Sequence, residues 1–543
     1  MKKSHLINIL LTVITLALLI YLALAFVAAH ALGLVYNSDI ITPAYLYQSL
    51  FLEGAKISQW YYAATMGFFP DFLVYFPLSA LVGNAQTALS YFAVYQLLMY
   101  FIVIVYLGRS LTKHRVGTTY IFCLSVLLTF LLYDSGYLQQ NVFYGMAIGG
   151  HFGTACMFLL GIIFINNTMF YSGKIRIINQ ILLGLLCLLT VFSDLLFLTQ
   201  FVATATASLL VIGILSEKHK RKVHQINLVI VIIASVFSYL LFRLSKPLFN
   251  LHFDTYKHFL QRRTLHDLSV ATKSLFYKLQ IFYNQNAIII ILLSIFFAVS
   301  LVYGLSLFKK RIKCEFVKDE EKPFVFTICM LFTSILTGYC SQIFFDNVLV
   351  SNDPSLRSMQ PFILFPVFLG IPLYLAYKTN LGEFIQKYYK SIICSILFCA
   401  IVFIPMNSIK PLVSYYPPQT QCLDYYAKKY HLKNGVAQYW NAKMNSFLSK
   451  EGVNVTAVIS FLHSQKIKLE PSLYMDSQTS YIGKQFNFAL VDKINSSIKI
   501  NAKNYGKPIK ILDCEEKFHS PTLIYIYPKG FIGKNWKIAP NTR

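Results

Sequence analysis

Ten ionisable residues fall beside the ends of apolar runs in this chain: Asp39, Asp71, Asp134, His151, Asp194, Arg243, Lys246, Asp346, Asp353 and Arg357. A carboxylate or imidazole in such a place can move a proton, and a guanidinium or ammonium group can hold an anion. Asp39 and Arg357 are so distant along the chain that only the fold can bring them together, and a shared vestibule is the expectation. No metal-ligand spacing, nucleophile elbow or phosphate-binding glycine loop accompanies them.

Each residue also has a plainer reading. Asp39 either caps a helix starting near Pro43 or is a solvated loop acid. Asp71 follows Pro70 and opens a helix, where the helix dipole alone favours a carboxylate. Asp134 and Asp194 sit at tight turns, where Asp bonds its own backbone. His151 lies within Gly145-x-x-x-Gly149-x-x-x-Gly153, a ridge of the kind that packs helices in membranes. At about 100° per residue it points away from that ridge, although a satisfied core histidine is the alternative. Arg357 precedes a late apolar run, where anchoring at the interface is explanation enough.

The elements that must position these residues are apolar helices. Of the 543 residues, 56% are hydrophobic, and runs long enough to cross a bilayer recur through the first 410 positions. We read eleven spans: Leu6–Ala31, Ala85–Leu107, Thr118–Tyr133, Val142–Ile165, Ile177–Phe192, Leu195–Leu215, Ile226–Phe242, Ala287–Phe308, Phe324–Phe344, Phe362–Tyr377 and Ile392–Ile409. The fifth and sixth divide at Ser193–Asp194, because a carboxylate is costly in mid-bilayer and cheap at a hairpin tip. Lys2 and Lys3 precede the first span. Further basic groups, Arg109/Lys113/Arg115, Lys174/Arg176, Lys218/Lys220/Arg221/Lys222 and Lys309/Lys310/Arg311/Lys313, follow the second, fourth, sixth and eighth. The positive-inside rule puts them in the cytoplasm, with the amino terminus in and the carboxyl terminus out. The net charge of +25 is thus largely topological and does not indicate nucleic-acid binding. The first span is too long for a signal peptide and is expected to stay in place.

The predicted organisation is a polytopic α-helical membrane domain, residues 1–410, with outer loops 33–84, 243–286 and 345–361. A soluble extracytoplasmic α+β domain, residues 411–543, follows. Thr42–Pro43 reads as an N-cap and first-turn proline before a short interfacial helix. Phe68-Phe69-Pro70-Asp71 opens a second short helix. In the tail, a helix is expected over Cys422–His431 and strands over Val453–Leu462, Phe486–Val491, Ile509–Leu512 and Thr522–Tyr527. Seven of the ten cysteines lie in or beside spans as small hydrophobes; Cys422 and Cys514 share the tail, where a disulfide is permitted but not demanded.

The order of features over the first 110 residues resembles membrane glycosyltransferases of the GT-C superfamily, which take sugars from polyprenyl-phosphate donors. The residues carrying the likeness are Asn37-Ser38-Asp39, then Tyr45, Tyr47 and Gly54, then Pro70-Asp71-Phe72-Leu73-Val74-Tyr75-Phe76 and Gly83-Asn84-Ala85. Late in the chain, Leu356-Arg357-Ser358-Met359-Gln360-Pro361 is similar to the arginine segment that opens a late helix in those enzymes. The resemblance implies a hexosyl- or pentosyltransferase in a bacterial cytoplasmic membrane. Asp39 would be the base and Asp71 its partner. Arg357, with Arg243 or Lys246, would hold the leaving phosphate, and His151 and Asp194 would line the cavity. A divalent metal between Asp39 and another acid would fit, although no ligand spacing shows one. Partners would be the lipid-linked sugar, membrane lipid and an envelope protein bound through 411–543. The readings set against this are a transporter or lipid flippase, for which Pro366 and Pro372 are the only suggestive helix breaks, and a non-catalytic envelope assembly protein.

Overall fold

A computed structural model of the chain describes residues 42–62, 66–111, 152–245, 248–251, 265–313, 315–344, 365–378, 410–463, 466–472, 476–493 and 507–528, with scattered positions between 10 and 41 and position 388. Asp39, Asp134, His151, Lys246, Asp346, Asp353 and Arg357 lie outside the described residues. So do the third and eleventh spans and much of the first.

The chain is a multi-pass membrane protein. Among the described residues, seven helices are long and apolar enough to cross a bilayer. The sequence behind each is a run of Leu, Ile, Val and Phe without charge, which no soluble fold needs at this length. Two short helices come first: α1 (Thr42–Tyr47, running on as a π-turn over Gln48–Leu52) and α2 (Leu73–Val82, entered through a π-turn over Phe68–Phe72). The first long helices are α3 (Ala85–Leu111), α4 (Phe152–Phe170) and α5 (Gly173–Ser193). Next are α6 (Ala203–Leu215, after a π-turn over Leu198–Val202), α7 (Arg221–Leu244), α8 (Leu265–Ile312) and α9 (Lys322–Phe344). The expected tenth span is described only as α10 (Ile371–Lys378) behind a buried π-turn, Pro366–Gly370. Helix α5 ends at Ser193, and Asp194 closes the turn into the next helix. In the bundle α5 packs between α4 and α7, while α6 packs on α7 and α9. One apolar core runs through it, from Tyr75 and Phe92 to Phe201, Phe296 and Phe326.

Two local expectations are corrected. Thr42 is not the N-cap of α1; Ile41 is, and Thr42 Oγ1 reaches back to donate to Ser38 O at 2.8 Å. A buried hydroxyl one position into the helix has a carbonyl of the preceding turn within reach, so it serves the backbone there. The segment 243–286 is not all loop either. Its second half is the start of α8, 48 residues of unbroken helix. That is roughly 70 Å at ~1.5 Å per residue, against a hydrocarbon core of ~30 Å. No Gly or Pro occurs in α8 before Gly304, so nothing in the sequence stops the helix where the polar stretch meets the apolar one.

The tail is a compact α+β unit. Its helices are α11 (Lys410–Ser414), α12 (Pro418–Tyr430), α13 (Tyr439–Leu448) and α14 (Glu515–Phe518). Its main sheet has the order β5-β4-β3-β7-β9-β8. The strands are β3 (Asn434–Ala437), β4 (Asn454–His463), β5 (Lys466–Pro471), β7 (Phe488–Asp492), β8 (Lys510–Asp513) and β9 (Thr522–Ile526). The central β3 runs parallel to both β4 and β7, and the outer pairs are antiparallel. Gly435 allows this centre to close, since a Cβ there would lie 2.2 Å from the Phe488 ring. Cys422 and Cys514 form a disulfide that ties α12 to the turn after β8.

A second, small sheet joins tail to bundle. Strand β1 (Trp60–Tyr62), from the loop between α1 and α2, pairs in parallel with β2 (Asn250–Leu251). On its other edge it pairs antiparallel with β6 (Asp476–Ser477) of the tail. The tail is therefore docked on the bundle end that carries α1, α2 and the Ser193–Asp194 turn.

Candidate functional site

The Asp71 side chain is placed by three elements. Gly67 adopts the left-handed conformation (φ 70°) that starts the π-turn. Backbone N–H groups of Met66 and Phe69 then donate to Ser193 O at 2.8 Å and Ser193 Oγ at 2.9 Å. These bonds pin the segment to the end of α5, and rings of Tyr62, Phe68, Phe72 and Phe249 pack around it at 5.4–5.8 Å. Asp71 is left half-buried against α4, where Gln96 Nε2 of α3 approaches Oδ1 at 3.4 Å. A Cβ built on Gly153 would stand 2.3 Å from Asp71 Oδ1, so the carboxylate lies flat on a bare patch of helix.

Asp194 comes to the neighbouring residue. Thr154 Oγ1 donates to its Oδ2 at 2.8 Å, and Leu196 N donates to its Oδ1 at 2.9 Å. The residue is 3% exposed. Both oxygens are thus engaged by a turn and by the adjoining helix, the use that Asp usually has in a turn. As a group lining a phosphate site Asp194 is poorly suited, being anionic and covered. Its role is to hold the turn that holds Asp71.

Arg243 is exposed near the end of α7. Its neighbour Phe242 meets Phe192 of α5 with ring centroids 6.4 Å apart, so Arg243 belongs to the same bundle end as both acids. It has no ion pair among the described residues. The structure thus brings Asp71 and Asp194 together on Gly153 and Thr154 and sets Arg243 at the same end. Asp39, His151, Lys246 and Arg357 cannot be placed, as they lie outside the described residues. The residues flanking Asp39 can be placed. Ser38 and Ile40 are buried, and Ser38 Oγ donates to Tyr439 O at 2.6 Å and Trp440 O at 3.2 Å in α13. Tyr45 OH donates to Lys443 O at 2.9 Å. The tail therefore clamps the chain at Ser38 and at Tyr45, which lie on either side of position 39 in the sequence.

That clamp contains a pair the sequence did not flag. Lys443, 1% exposed, lies 5.1 Å from the Tyr439 ring and 5.9 Å from those of Tyr45 and Trp60. Asp476 on β6 is 4% exposed; it accepts from Ser477 N and Ser480 Oγ at 2.8 Å and from Tyr481 OH at 3.3 Å. Burial pushes its carboxyl above the usual range, with the Lys443 charge opposing. Burial likewise pushes the Tyr45 phenol up. Neither Lys443 nor Asp476 stands in a motif. Both lie at the junction where β6 of the tail pairs with β1, and strands of two or three residues leave no trace in a sequence.

Among the described residues no group of three His, Cys, Asp or Glu could hold a metal ion. No family model matches the chain, no curated protein matches it, and no solved structure matches it.

Proposed function

We propose that this protein is a glycosyltransferase of the bacterial cytoplasmic membrane, moving a sugar from a polyprenyl-phosphate donor to an envelope acceptor at the outer face. Orientation is the first support. Arg109, Arg176, Lys220 and Lys322, which flank four different spans, line one cavity at one end of the bundle, as cytoplasmic basic loops would. The disulfide-bonded tail docks on the opposite end, and disulfides persist in oxidising compartments outside the cytosol. Asp71, Asp194 and Arg243 are then extracytoplasmic.

The observation that carries the reading is the support built around Asp71. A half-buried carboxylate is held on a bare glycine that lies two residues in sequence from His151, and the tail bonds Ser38, the residue before Asp39. Transfer requires a base for the acceptor hydroxyl and positive charge for the departing phosphate. In the proposed step Asp39 takes the hydroxyl proton, with Asp71 beside it as second acid. The acceptor oxygen bonds the anomeric carbon, the bond from that carbon to the phosphate oxygen breaks, and Arg357 with Arg243 or Lys246 holds the polyprenyl phosphate released. The tail, which bonds Ser38 and Tyr45, is the surface for an acceptor or envelope partner.

The test is turnover of a radiolabelled polyprenyl-phosphate sugar in membrane vesicles. Asp39→Asn and Asp71→Asn should each abolish transfer at unchanged protein abundance, and full activity in both variants overturns the assignment. Substrate flux in proteoliposomes without donor turnover would favour the transporter reading, for which the buried π-turn Pro366–Gly370 is the feature in kind.

A further inference from the structure

The end of the bundle read as cytoplasmic holds a cavity of about 630 Å³ that sugar transfer does not use. Arg109 comes to it from α3, Arg176 from α5, Lys220 from the turn before α7 and Lys322 from the start of α9. Two carboxylates, Asp319 and Glu320, also line it, so cations outnumber acids there by four to two. Cytoplasmic lysines and arginines that serve topology alone are ordinarily solvated and scattered. Here they face a common concavity, and Lys322 is only 4% exposed.

The partners show which charges are spoken for. Asp319 bridges the two lysines, accepting from Lys220 Nζ and Lys322 Nζ at 2.6 Å each. Those bonds, Lys220's first, hold its carboxyl below the usual carboxylate range. The arginines have no such partner among the described residues. Arg176 Nε donates to Thr168 O at 3.0 Å and Tyr171 O at 2.8 Å, which fixes the guanidinium plane and leaves its terminal nitrogens without a carboxylate among the described residues. Arg109 makes no ion pair among them. His224, 3% exposed, also lines the cavity; its Nε2 lies 3.1 Å from Ser216 Oγ, and its buried Nδ1 has no partner among the described residues. A buried ring nitrogen without a bond is costly unless something fills the space beside it.

We infer that this cavity binds a phosphate group, held by Arg109 and Arg176 through planar charge-assisted bonds and approached by His224 Nδ1. Guanidinium forks match phosphate oxygens in pairs, and the Asp319 bridge keeps the lysines in place without neutralising the site. The volume admits a phosphorylated headgroup or a small soluble phosphate ester. The site lies at the other end of the bundle from Asp71 and does not depend on the transfer reading.

The experiment uses the full chain in nanodiscs. Inorganic pyrophosphate is titrated into phosphatidylcholine discs by calorimetry, and the melting temperature is compared between phosphatidylcholine discs and discs containing phosphatidic acid. Arg109→Gln/Arg176→Gln is set against Lys428→Gln/Lys429→Gln, which removes the same charge from the tail. Saturable pyrophosphate binding that weakens at least about tenfold in the arginine variant alone supports a soluble phosphate ligand. Stabilisation by phosphatidic acid alone, lost in the same variant, supports a lipid headgroup. If the double variant does not fold, Arg109→Gln, at an exposed position, is read in its place and must weaken binding in the same direction. No response to either probe, or equal responses in both variants, overturns the site. Asp71→Asn must leave this binding intact, which separates it from failure of the transfer reading.

Discussion

Replacing Gly153 by Ala tests whether the Phe68–Phe72 segment lies on α4 as closely as described. The new methyl would stand 2.3 Å from Asp71 Oδ1 and 2.6 and 2.7 Å from Pro70 Cγ and Cδ. The carboxylate can rotate away, but the proline ring is part of the backbone turn and must retreat by roughly 1 Å to reach ordinary contact. That retreat pulls on the bonds from Met66 N and Phe69 N to Ser193. Overpacking of this kind costs about 1–3 kcal/mol, and losing one of the two bonds adds about 1 kcal/mol. Alanine in place of glycine within a helix returns about 0.5–1 kcal/mol. The net expectation is a destabilisation of about 1–3 kcal/mol.

Two glycines supply the controls. A Cβ on Gly184 would meet only Ile230 Cγ2 at 3.4 Å, and one on Gly213 would meet nothing within 4 Å. Both alanine variants should be unchanged or slightly more stable through helix propensity alone. Melting in detergent at one heating rate, with the three variants side by side, gives the sign directly. A Gly153→Ala protein that melts with or above the Gly213→Ala control would refute the close approach, and with it the placement of Asp71.

Three further outcomes follow from the tail and its junction. Cysteines 422 and 514 are 92 residues apart, so replacing both by serine should lower the tail's stability to urea by up to about 4–5 kcal/mol on the loop-entropy account, with no change under reducing conditions; equal stability of wild type and variant without reductant would mean the bond does not form. Lys443→Met should cost about 2–4 kcal/mol, read as faster proteolysis at 410–418, because the aromatic ring contacts are lost and Asp476 loses its nearby cation. Adding Asp476→Asn should restore at least ~1 kcal/mol, and strictly additive losses would show the two groups uncoupled. The pH dependence has a definite sign: burial raises the Asp476 carboxyl, so its contribution to stability is full below the ordinary carboxylate range and declines as pH rises through the raised value. Between about pH 4 and 7, wild type should lose stability relative to Asp476→Asn, and parallel curves would contradict the burial of that carboxyl.

What the sequence made legible were the features with a single dominant cause. The described spans are apolar because lipid tolerates nothing else, and the break at Ser193–Asp194 was readable because a carboxylate does not sit in mid-bilayer without cost. The helix near residue 422 and the strands near 454, 488, 510 and 522 were readable from their periodicity. The central strand β3 was not. Asn434–Gly435 reads as a turn, and only the Phe488 ring lying on Gly435 reveals why glycine stands in a buried strand. Helix α8 was divided because its first half is polar and basic, although its backbone has no reason to stop. The junction escaped entirely, since Lys443, Asp476 and Trp60 acquire meaning only when β1 and β6 pair.

The two acids that the structure unites do different work, and their bonds say which does what. Asp194 is covered, and its oxygens are engaged by Thr154 and Leu196, which fixes the turn after α5. That turn presents Ser193, whose carbonyl and hydroxyl accept from Met66 and Phe69. Those two bonds set the π-turn that lays Asp71 on Gly153. The order of dependence runs from Asp194 to Ser193 to Asp71, and only the last carboxylate in that series is half-open. Asp194 accepts from Thr154 and Leu196 while covered, whereas Asp71 accepts from Gln96 Nε2 while half-open. Asp194 is therefore a positioning residue for Asp71, and of these two carboxylates the fold leaves only Asp71 partly uncovered.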